Sequence, residues 1–413
     1  MFMKKTLKIF AIMAAICALL AITAFAANFE HCGDALNELG LFKGTQNGYE
    51  LDREPTRAEA ATMLVRLLGA EEEALVLSYT APFTDVADWA KPYVQYLHNK
   101  GLTKGTSETT FGYSDKCTAQ QYATFLLRAL GYSDGEDFTY DAALTYGEKI
   151  GLCDWANCFG EVFLRDNVVA MSYTALSLPT KSGERDLLSK LVSSGAVKDA
   201  KGYDVFFENM RAYTAATETL NTAEKLSADI GRDNDDGVMK YAIERNNEDL
   251  DKSRMSYTMP DGTFSIYYAD KVLYVEAFGK KTKEKEDATY FDAVRYIAPA
   301  VTYDPVSAIR AIEKKTEGNS VVYTATLRRE ILDVMTLIGD AQYTSDMTVT
   351  VKTENGNTIA VYIEMEGVTG EIPVEVSIKY DNIKTGDDVK VTLPDNLDEF
   401  EAPETKNANE INE

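Results

Sequence analysis

The chain has 413 residues, and its 66 acidic and 42 basic side chains give it a formal net charge of -24. A surface this acidic repels phosphate backbones, so nucleic acid is disfavoured as a partner and any site for an anionic polymer must be locally basic. The length exceeds that of a usual single domain, so we expect two or more domains.

Residues 1–26 have the pattern of a signal peptide. Three lysines precede an apolar run from Ile9 to Ala21, and Ala24-Phe25-Ala26 matches the small-x-small pattern of a cleavage site. The run is short for a membrane span and no stop-transfer charges follow it, which disfavours the alternative of a membrane anchor. We therefore expect an exported, soluble chain that begins after Ala26.

Cysteines outside this segment leave the question of disulfides open. Export permits disulfides, but spacing does not choose among the possible pairings. Cys153 and Cys158 could close a small loop or could be buried thiols. Zinc is disfavoured because His31 and His98 lack ligand spacing to the cysteines, so no metal site is predicted. The cysteines concerned are Cys32, Cys117, Cys153 and Cys158.

The stretch from Asp52 to Gly69 predicts a turn and a capped helix. Pro55 fixes the entry, Thr56 is a good N-cap, and Glu59 stands three residues later at the capping-box spacing. Gly69 is a natural stop. The expected buried face consists of Ala60, Met63, Leu64, Leu67 and Leu68.

This helix belongs to a repeated pattern. Three segments, about residues 28–70, 81–131 and 138–197, each combine a helix, a short glycine-rich loop and a second helix. One such helix pair cannot bury its apolar face alone, so the three units should share a core. The three units can be aligned because the same number of residues separates the helix start from a core leucine in each. The pairs are Thr56 and Leu64, Thr118 and Leu126, and Val168 and Leu176.

These segments resemble the S-layer homology (SLH) family, over roughly residues 28–197. The first unit carries the hallmark Thr56-Arg57-Ala58-Glu59, and the second carries the family opening in Phe83, Asp85, Val86 and Trp89. The resemblance implies an all-α, pseudo-threefold domain, placed here at residues 27–200. It also implies noncovalent binding to pyruvylated secondary cell-wall polysaccharide, at the wall or surface of a Gram-positive-type bacterium.

The chemistry of such a ligand directs attention to particular residues. A pyruvate ketal offers a carboxylate, which Arg57 at a helix start could grip bidentately, aided by free backbone N–H groups and the helix dipole. Glu59 belongs to the same motif. Trp89 could stack on a sugar or lie in the core. Asp85 could hold a sugar hydroxyl, hold the turn or cap its helix.

The other two units depart from the motif. The second has Ala119 where the arginine stands, and the third has Val169 at that position in the alignment above. Arg165 lies just before the third helix and could substitute. The sequence therefore predicts that only one groove keeps the ligand chemistry of the family. The candidate polysaccharide-binding residues are Arg57, Glu59, Asp85, Trp89 and Arg165.

After Tyr203 the pattern changes from helical spacing to alternation. One long helix is predicted at Phe206–Ile230, and further helical patterns occur at Ala288–Ile297, Pro305–Lys314 and Glu330–Ile338. The predicted strands are Val238–Arg245, Ser253–Met259, Thr263–Tyr268, Lys271–Phe278, Ser320–Leu327, Ser345–Thr353, Thr358–Glu366, Val374–Tyr380 and Asp388–Leu393.

This order predicts an α+β antiparallel domain over residues 204–397, followed by a disordered acidic tail at 398–413. Leu273–Lys281 and Val389–Phe400 resemble the middle and end of the LolA/LppX-like lipoprotein-carrier superfamily. That resemblance implies a half-barrel whose concave face holds helices and could bind a lipid or acyl chain. The alternative is a filled sheet core without a ligand.

Motifs for catalysis and cofactors are weak, so the sequence predicts a non-enzyme without a cofactor. No glycine-rich phosphate loop precedes a helix, and Asp233 to Gly237 fail the calcium-loop frame because Arg232 stands where the first aspartate is needed. No pattern selects a carboxylate pair for a glycosidase. Beside a wall-anchored surface protein, two alternatives stay open: a structural surface-layer-type protein and a wall-attached hydrolase.

Overall fold

The computed structural model describes residues 29–154, 157–158, 162–183, 185–232, 238–246, 249–259, 262–277, 279–285, 306–329, 342–369 and 372–402. The predicted signal peptide, the helices predicted at 288–297 and 330–338, and residues 403–413 lie outside these ranges. The chain divides into two compact units. The first runs to Arg211 and includes 304–311; the second comprises Ala212–Tyr303 and Ile312–Glu413.

The first unit is helical. A 3-10 turn at Tyr140–Ala142 precedes α6, and α9 begins in this unit and continues into the second. The helices are α1 (Glu30–Glu38), α2 (Arg57–Leu67), α3 (Glu71–Leu75), α4 (Lys91–Asn99), α5 (Ala119–Ala129), α6 (Ala143–Lys149), α7 (Arg165–Ser177), α8 (Leu187–Ser193) and α9 (Tyr203–Thr222). None of the described helices is long and apolar enough to span a membrane.

Helix α2 has the predicted capping box. The Glu59 backbone N–H donates to Thr56 Oγ1 at 3.2 Å, and the Thr56 backbone N–H donates to Glu59 Oε2 at 2.7 Å. Gly69 ends the helix with φ of +62°, and a Cβ there would lie 2.6 Å from the Cβ of Ala196. Both the left-handed backbone and the lack of space require glycine at this stop.

The third repeat is offset from its predicted alignment. Helix α7 has Leu164 as its N-cap, and Asn167 completes the cap by accepting the Leu164 backbone N–H at 2.7 Å. Val168, predicted as the helix start, lies inside the helix and is fully buried. The predicted register is therefore wrong by one helical turn, because Leu164 lacks the polar side chain that marks most N-caps.

A segment distant in sequence completes the helical core. Residues Val306–Ala308 form a 3-10 turn against α7, and the Cys32 thiol donates to the Ser307 carbonyl at 3.8 Å. Ser307, Ala308 and Ile309 have no exposed surface. The helix predicted at Pro305–Lys314 is wrong, since the chain turns here and enters a strand at Ile309. We call residues 306–309 the strap.

The second unit is built on an antiparallel sheet, as predicted. Its order is β6-β5-β4-β3-β2-β1-β12-β11-β10-β8-β7, with β9 beside β11. The strands are β1 (Lys225–Arg232), β2 (Val238–Asn246), β3 (Asp249–Met259), β4 (Gly262–Ala269), β5 (Val272–Ala277), β6 (Lys280–Lys285), β7 (Ile309–Glu317), β8 (Ser320–Leu327), β9 (Gln342–Tyr343), β10 (Met347–Glu354), β11 (Asn357–Thr369) and β12 (Ile372–Thr385).

Two successive meanders join where β1 pairs with β12, with Ile230 opposite Tyr380. The predicted helix Phe206–Ile230 is thus too long, because α9 ends at Thr222 and β1 takes the remainder into the sheet. Helix α9 packs on β11, where the buried Thr358 hydroxyl donates to the Ala216 carbonyl at 2.8 Å. The strand predicted at Asp388–Leu393 is also wrong: a 3-10 turn and irregular chain stand there.

The chain remains ordered beyond the predicted start of the tail. Phe400 is only 2% exposed, and its ring lies 5.4 Å from the Tyr274 ring, centroid to centroid. The Lys283 backbone N–H donates to the Glu401 carbonyl at 2.8 Å. An acidic composition predicted disorder from residue 398, but one buried aromatic side chain holds the segment to the edge of the sheet.

The described cysteines are free thiols, and all are buried: Cys32, Cys117, Cys153 and Cys158. Burial raises the pKa of the Cys117 thiol to about 12. A buried thiol of this kind behaves as a small apolar side chain, so the reading of Cys153 and Cys158 as buried thiols is the one the described structure favours.

The strap should contribute directly to the stability of the helical unit. We expect Ala308→Asp in the full chain to lower that unit's free energy of unfolding by about 2 kcal/mol or more, because it buries an unpaired charge. Both tryptophans of the chain, at positions 89 and 155, fall within the sequence range of this unit, so we expect tryptophan fluorescence during denaturation to report on it.

The matched control is Ala311→Asp, which places the same charge three residues further on at an exposed position. It should leave the free energy of unfolding, followed by fluorescence, within about 0.5 kcal/mol of the value for the original chain. Equal effects of the two substitutions would show that the strap does not belong to the core of the helical unit.

Candidate functional site

Arg57 is the first residue of α2, yet it is only 5% exposed. Its Nε donates to the Phe111 carbonyl at 2.9 Å. Its guanidinium carbon lies 5.0 Å from the ring centroid of Phe111 and 4.9 Å from that of Phe125. The side chain thus crosses from the first repeat into the second, where two aromatic rings enclose its charge.

The Arg57 guanidinium is not part of an ion pair with any of the described residues. In the described part of the chain the guanidinium forms no ion pair, and Nε makes its only hydrogen bond. Burial lowers the pKa of Arg57, although the group stays cationic at any physiological pH. A buried cation without a counter-ion is unfavourable by several kcal/mol, and a bound carboxylate would compensate that cost.

Backbone groups at the start of α2 are not available to a ligand. The Arg57 N–H donates to the Asp115 carbonyl at 2.8 Å, and the Ala58 N–H donates to the Tyr113 carbonyl at 3.1 Å. The expectation of free backbone N–H groups beside Arg57 is therefore wrong. What is left for an anion is the outer edge of the guanidinium, Nη1 and Nη2.

Asp85 organises the loop that receives Arg57. Its carboxylate accepts the backbone N–H groups of Phe111 and Gly112, both at 2.7 Å, and of Tyr113 at 3.2 Å. Partial burial alone would raise the pKa of Asp85, but these three hydrogen bonds lower it below its usual value. Of the predicted alternatives for Asp85, the described contacts match the one in which it holds a turn.

Arg165 repeats the geometry of Arg57. It is the first residue of α7, 4% exposed, and its Nε donates to the Tyr49 carbonyl at 2.9 Å. Its backbone N–H donates to the Arg53 carbonyl at 2.9 Å. In both arginines Nε thus donates to a loop carbonyl, and the backbone N–H donates to the carbonyl four residues later in the same loop. The aligned sequence missed this equivalence because it started the third helix at Val168.

Charge distinguishes the two arginine sites. Near Arg165, Arg53 makes a bidentate ion pair with Glu59, at 2.6 and 3.0 Å, and a weaker one with Glu50 at 3.3 Å. Burial and the cations Arg53 and Arg66 lower the pKa of Arg165, whereas both carboxylates raise it, and the net shift is downward. Among the charged groups that act on Arg57, Asp115 is the acidic one and Arg128 is a second cation.

Glu59 has two structural roles. Its side chain caps α2 and pairs with Arg53, and only 24% of it is exposed. Burial alone would raise the pKa of Glu59, but the bonds from Arg53 and the Thr56 backbone N–H lower it to about 2. The Glu59 carboxylate is thus occupied by protein groups, so it has little capacity left for a ligand.

Trp89 and Tyr140 are the large exposed aromatic residues of the helical unit. Trp89 lies in the turn before α4 and is 52% exposed, which excludes the alternative that it lies in the core. Among the described residues, no ring contact or charge contact joins Trp89 to Arg57. Tyr140 is 46% exposed. The sequence did not single out Tyr140, because it belongs to no repeated motif.

The loop that receives Arg57 lies in the part of the chain that family comparison identifies. Residues 82–121 match the family model of the S-layer homology domain. The matched SLH segment contains Asp85, Trp89 and Phe111. The resemblance to this family drawn from the sequence is confirmed here.

Two of the relatives of this chain are named as cell-wall or surface-layer proteins, and a third is named as an endoglucanase. The middle cell wall protein of Brevibacillus brevis is 35% identical over 109 residues, which cover 26% of this chain and 10% of the relative. The surface layer protein of Brevibacillus choshinensis is 35% identical over 100 residues, covering 24% and 9%. An endoglucanase of a Bacillus species is 30% identical over 124 residues, covering 25% and 13%. The chain spans about a tenth of each relative's length.

Among solved structures, similarity covers the sheet-rich part at low level. The lipoprotein LppX of Mycobacterium tuberculosis has a TM-score of 0.32 and 10% identity, covering 45% of this chain and 98% of that one. A LolA superfamily protein of Nitrosomonas europaea has a TM-score of 0.17 and 11% identity, covering 45% and 95%. The weak resemblance expected from the sequence is therefore found, at scores too low to establish a shared fold.

The role of Glu59 predicts a specific dependence of stability on pH. Because the folded-state pKa lies below the ordinary 4.5, the carboxylate stabilises the fold above that pH, and the stabilisation is lost as the pH falls towards about 2. Glu59→Gln keeps a capping group, as Gln121 does in the second unit, but loses the charge. We expect this substitution to lower the free energy of unfolding by about 1 kcal/mol at pH 7 and by progressively less in acid.

Urea titrations followed by tryptophan fluorescence between pH 2 and pH 7 would measure this dependence. Glu108→Gln is the matched control, since Glu108 is exposed and makes no ion pair in the described structure. A cost for Glu59→Gln that does not change with pH would show that the Arg53–Glu59 pair contributes no stability.

Proposed function

We propose that the helical unit attaches the protein noncovalently to a pyruvylated secondary wall polysaccharide at the cell surface, with Arg57 gripping the ketal carboxylate. The observation that carries the proposal is the Arg57 guanidinium, 5% exposed and without an ion-pair partner among the described residues. The similarity to named surface-layer and cell-wall proteins supports a location at the cell surface.

The local chemistry of Arg57 suits a carboxylate better than a neutral sugar. A guanidinium presents paired N–H donors in a planar fork, which matches the two oxygens of a carboxylate. The rings of Phe111 and Phe125 exclude water from one side, and this lowers the local dielectric and strengthens the pairing. In a chain with net charge -24, such a local site is needed to hold an anionic polymer.

We infer a second, weaker site at Arg165 and none at the corresponding position of the second repeat. Arg165 makes the same Nε and backbone contacts as Arg57, but its Nη1 already donates to Met63 Sδ at 3.7 Å, which leaves fewer donors for a ligand. In α5 the first helical residue is Ala119, which has no charge to offer. Two sites on a repeating polymer raise its overall affinity through effective concentration, provided that one strand can reach both.

The three units are best understood as a pseudo-threefold SLH domain within residues 27–200, with Asp85 as a scaffold residue and Trp89 free for a separate sugar contact. The α+β domain is then a displayed, non-catalytic module. Its half-barrel curvature and a lipid or acyl ligand stay predictions, as do the surface-layer and hydrolase alternatives. Turnover of wall glycan by the purified chain would favour the hydrolase.

The proposal predicts the response of wall binding to substitution of Arg57. In the full chain, Arg57→Ala should weaken binding to polysaccharide-bearing walls, measured by co-sedimentation. We expect the binding free energy to become less favourable by about 2 kcal/mol, because a charge-assisted bidentate contact is lost. Arg57→Lys should restore only part of the affinity, since ammonium lacks the planar fork. Arg165→Ala should have a smaller effect than Arg57→Ala.

The control is Arg66→Ala, which removes an arginine of the same helix that is already paired with Glu71 at 2.7 Å. It should bind walls like the original chain. Tryptophan fluorescence would establish that each variant is folded, and walls stripped of polysaccharide should bind none of them. Normal binding by folded Arg57→Ala would contradict the proposed site.

A further inference from the structure

One face of the sheet carries two tyrosines between two cations, next to the edge strand β6. Tyr267 of β4 lies opposite Tyr274 of β5, and Tyr274 lies opposite Lys283 of β6. On the other side, Arg254 of β3 lies opposite Tyr267, with its guanidinium carbon 5.9 Å from the centroid of that ring. Side chains directly opposite each other on antiparallel strands project from the same face of the sheet. These four residues therefore form a continuous row, which we call the tyrosine row.

A segment near the C-terminal end of the described chain lies on the tyrosine row. The Phe400 ring contacts Tyr267 and Tyr274 edge to face, with centroid distances of 6.3 and 5.4 Å and interplanar angles of 86° and 84°. Lys281 of β6 lies over the same ring, with its Nζ 5.8 Å from the centroid and 2.5 Å from Glu399 Oε2. The sheet thus receives one aromatic side chain and pairs with one carboxylate beside it.

Backbone hydrogen bonds extend the sheet through the same segment. The Lys283 N–H donates to the Glu401 carbonyl at 2.8 Å, and the Glu401 N–H donates to the Lys281 carbonyl at 3.3 Å. Glu401 is thereby paired with Thr282, in parallel orientation. Addition of a strand to a sheet edge, with its side chains placed in adjoining pockets, is a common way in which proteins bind extended peptides. We call residues 397–402 the latch.

Charge favours this pairing over pairing with a second basic strand. Strand β6 contains lysines at positions 280, 281, 283 and 285 and one glutamate, in a chain whose net charge is -24. The segment 395–401 contains acidic residues at positions 395, 398, 399 and 401. Lysines on an edge strand repel a second lysine-rich edge, whereas they attract an acidic segment. The edge therefore selects an acidic segment, and the tyrosine row selects an aromatic side chain within it.

The latch is separable from the rest of the sheet. The consecutive residues Glu399, Phe400 and Glu401 make the contacts described above, and residues 389–394 before them are irregular chain. A segment held mainly by one ring, one exposed ion pair and two backbone hydrogen bonds opens more readily than a strand paired along its length. Because the sheet recognises a short sequence, it can bind the same sequence when another molecule supplies it.

We propose that β6 and the tyrosine row form a docking site between copies of this protein, in which residues 397–402 of one copy replace the latch of another. The partner is a second copy because the structure displays the fit of this segment, and every copy carries it. Exchange of an identical element needs no new type of contact. The intramolecular latch has an effective concentration on the order of 1 mM, so exchange occurs where copies are crowded. Neither Arg57 nor wall binding is needed for this exchange.

Cysteine cross-linking in the full chain tests the exchange, because Thr282 and Glu401 are paired and the described native cysteines are buried. Chains carrying Thr282→Cys are mixed with chains carrying Glu401→Cys in oxidised glutathione, at protein concentrations from about 10 μM to about 1 mM. We expect a disulfide-linked dimer of the two variants, identified by mass spectrometry, whose yield rises with concentration. Adding Phe400→Ala to the Glu401→Cys chain should lower that yield roughly tenfold, because its latch then lacks the ring.

Two controls separate recognition from random collision. A single dilute chain with both cysteine substitutions should close an internal disulfide, and failure to close would refute the latch itself. Chains carrying Glu108→Cys, at an exposed position of the helical unit, should not cross-link to the Thr282→Cys chain. Internal closure without any mixed dimer at the highest concentration would refute the exchange and leave the latch a permanent strand. An undiminished yield with Glu108→Cys or with Phe400→Ala would refute recognition by the tyrosine row.

Discussion

The helical unit depends on a clasp between the first turn of one helix and a loop that belongs to another repeat. At Arg57 the side chain and two backbone N–H groups reach carbonyls at Phe111, Tyr113 and Asp115. At Arg165 the same set of donors reaches Tyr49, Leu51 and Arg53. These hydrogen bonds satisfy the open end of each helix, which would otherwise need water or a capping ligand.

The clasp makes the repeats interdependent. Arg57 and Phe111 are 54 positions apart in sequence, and Arg165 and Tyr49 are 116 apart. Asp85 fixes the shape of the first of these loops and so controls where Arg57 sits. The helical unit is therefore one cooperative body, in which Arg57 and Arg165 are positioned by loops that belong to other repeats.

Features that depend on neighbouring residues were predictable from the sequence, and features that depend on residues far away in the sequence were not. The capping box of α2, its glycine stop and the strand Ser320–Leu327 follow from neighbouring residues, and the structure has them as predicted. The start of the helix in the third repeat was predicted one turn too late. Its N-cap residue, Leu164, is apolar, and the side chain of Asn167 supplies the capping hydrogen bond instead. The burial of Arg57 depends on aromatic rings in another repeat, which no local pattern signals.

The same distinction explains the errors in the second unit. The edge strand β7 is rich in charge, with glutamate and lysine spaced as on a helix surface, and only pairing with β8 makes it a strand. Lysines along β7 and β6 also discourage further strands from adding to the sheet at its two ends. Phe400 shows the converse: its contacts with the rings of Tyr267 and Tyr274 hold in place a stretch whose composition is typical of disorder.

The strap has a consequence for the order in which the protein matures. A chain that is synthesised from its N terminus presents α1 and α7 well before residues 306–309 follow them. Until then the surface formed around Cys32 and Tyr173 is open, and the helical unit lacks part of its core. The core of the helical unit is therefore completed only after the sequence of the first six strands has been made, so a chain that ends before residue 306 lacks part of that core.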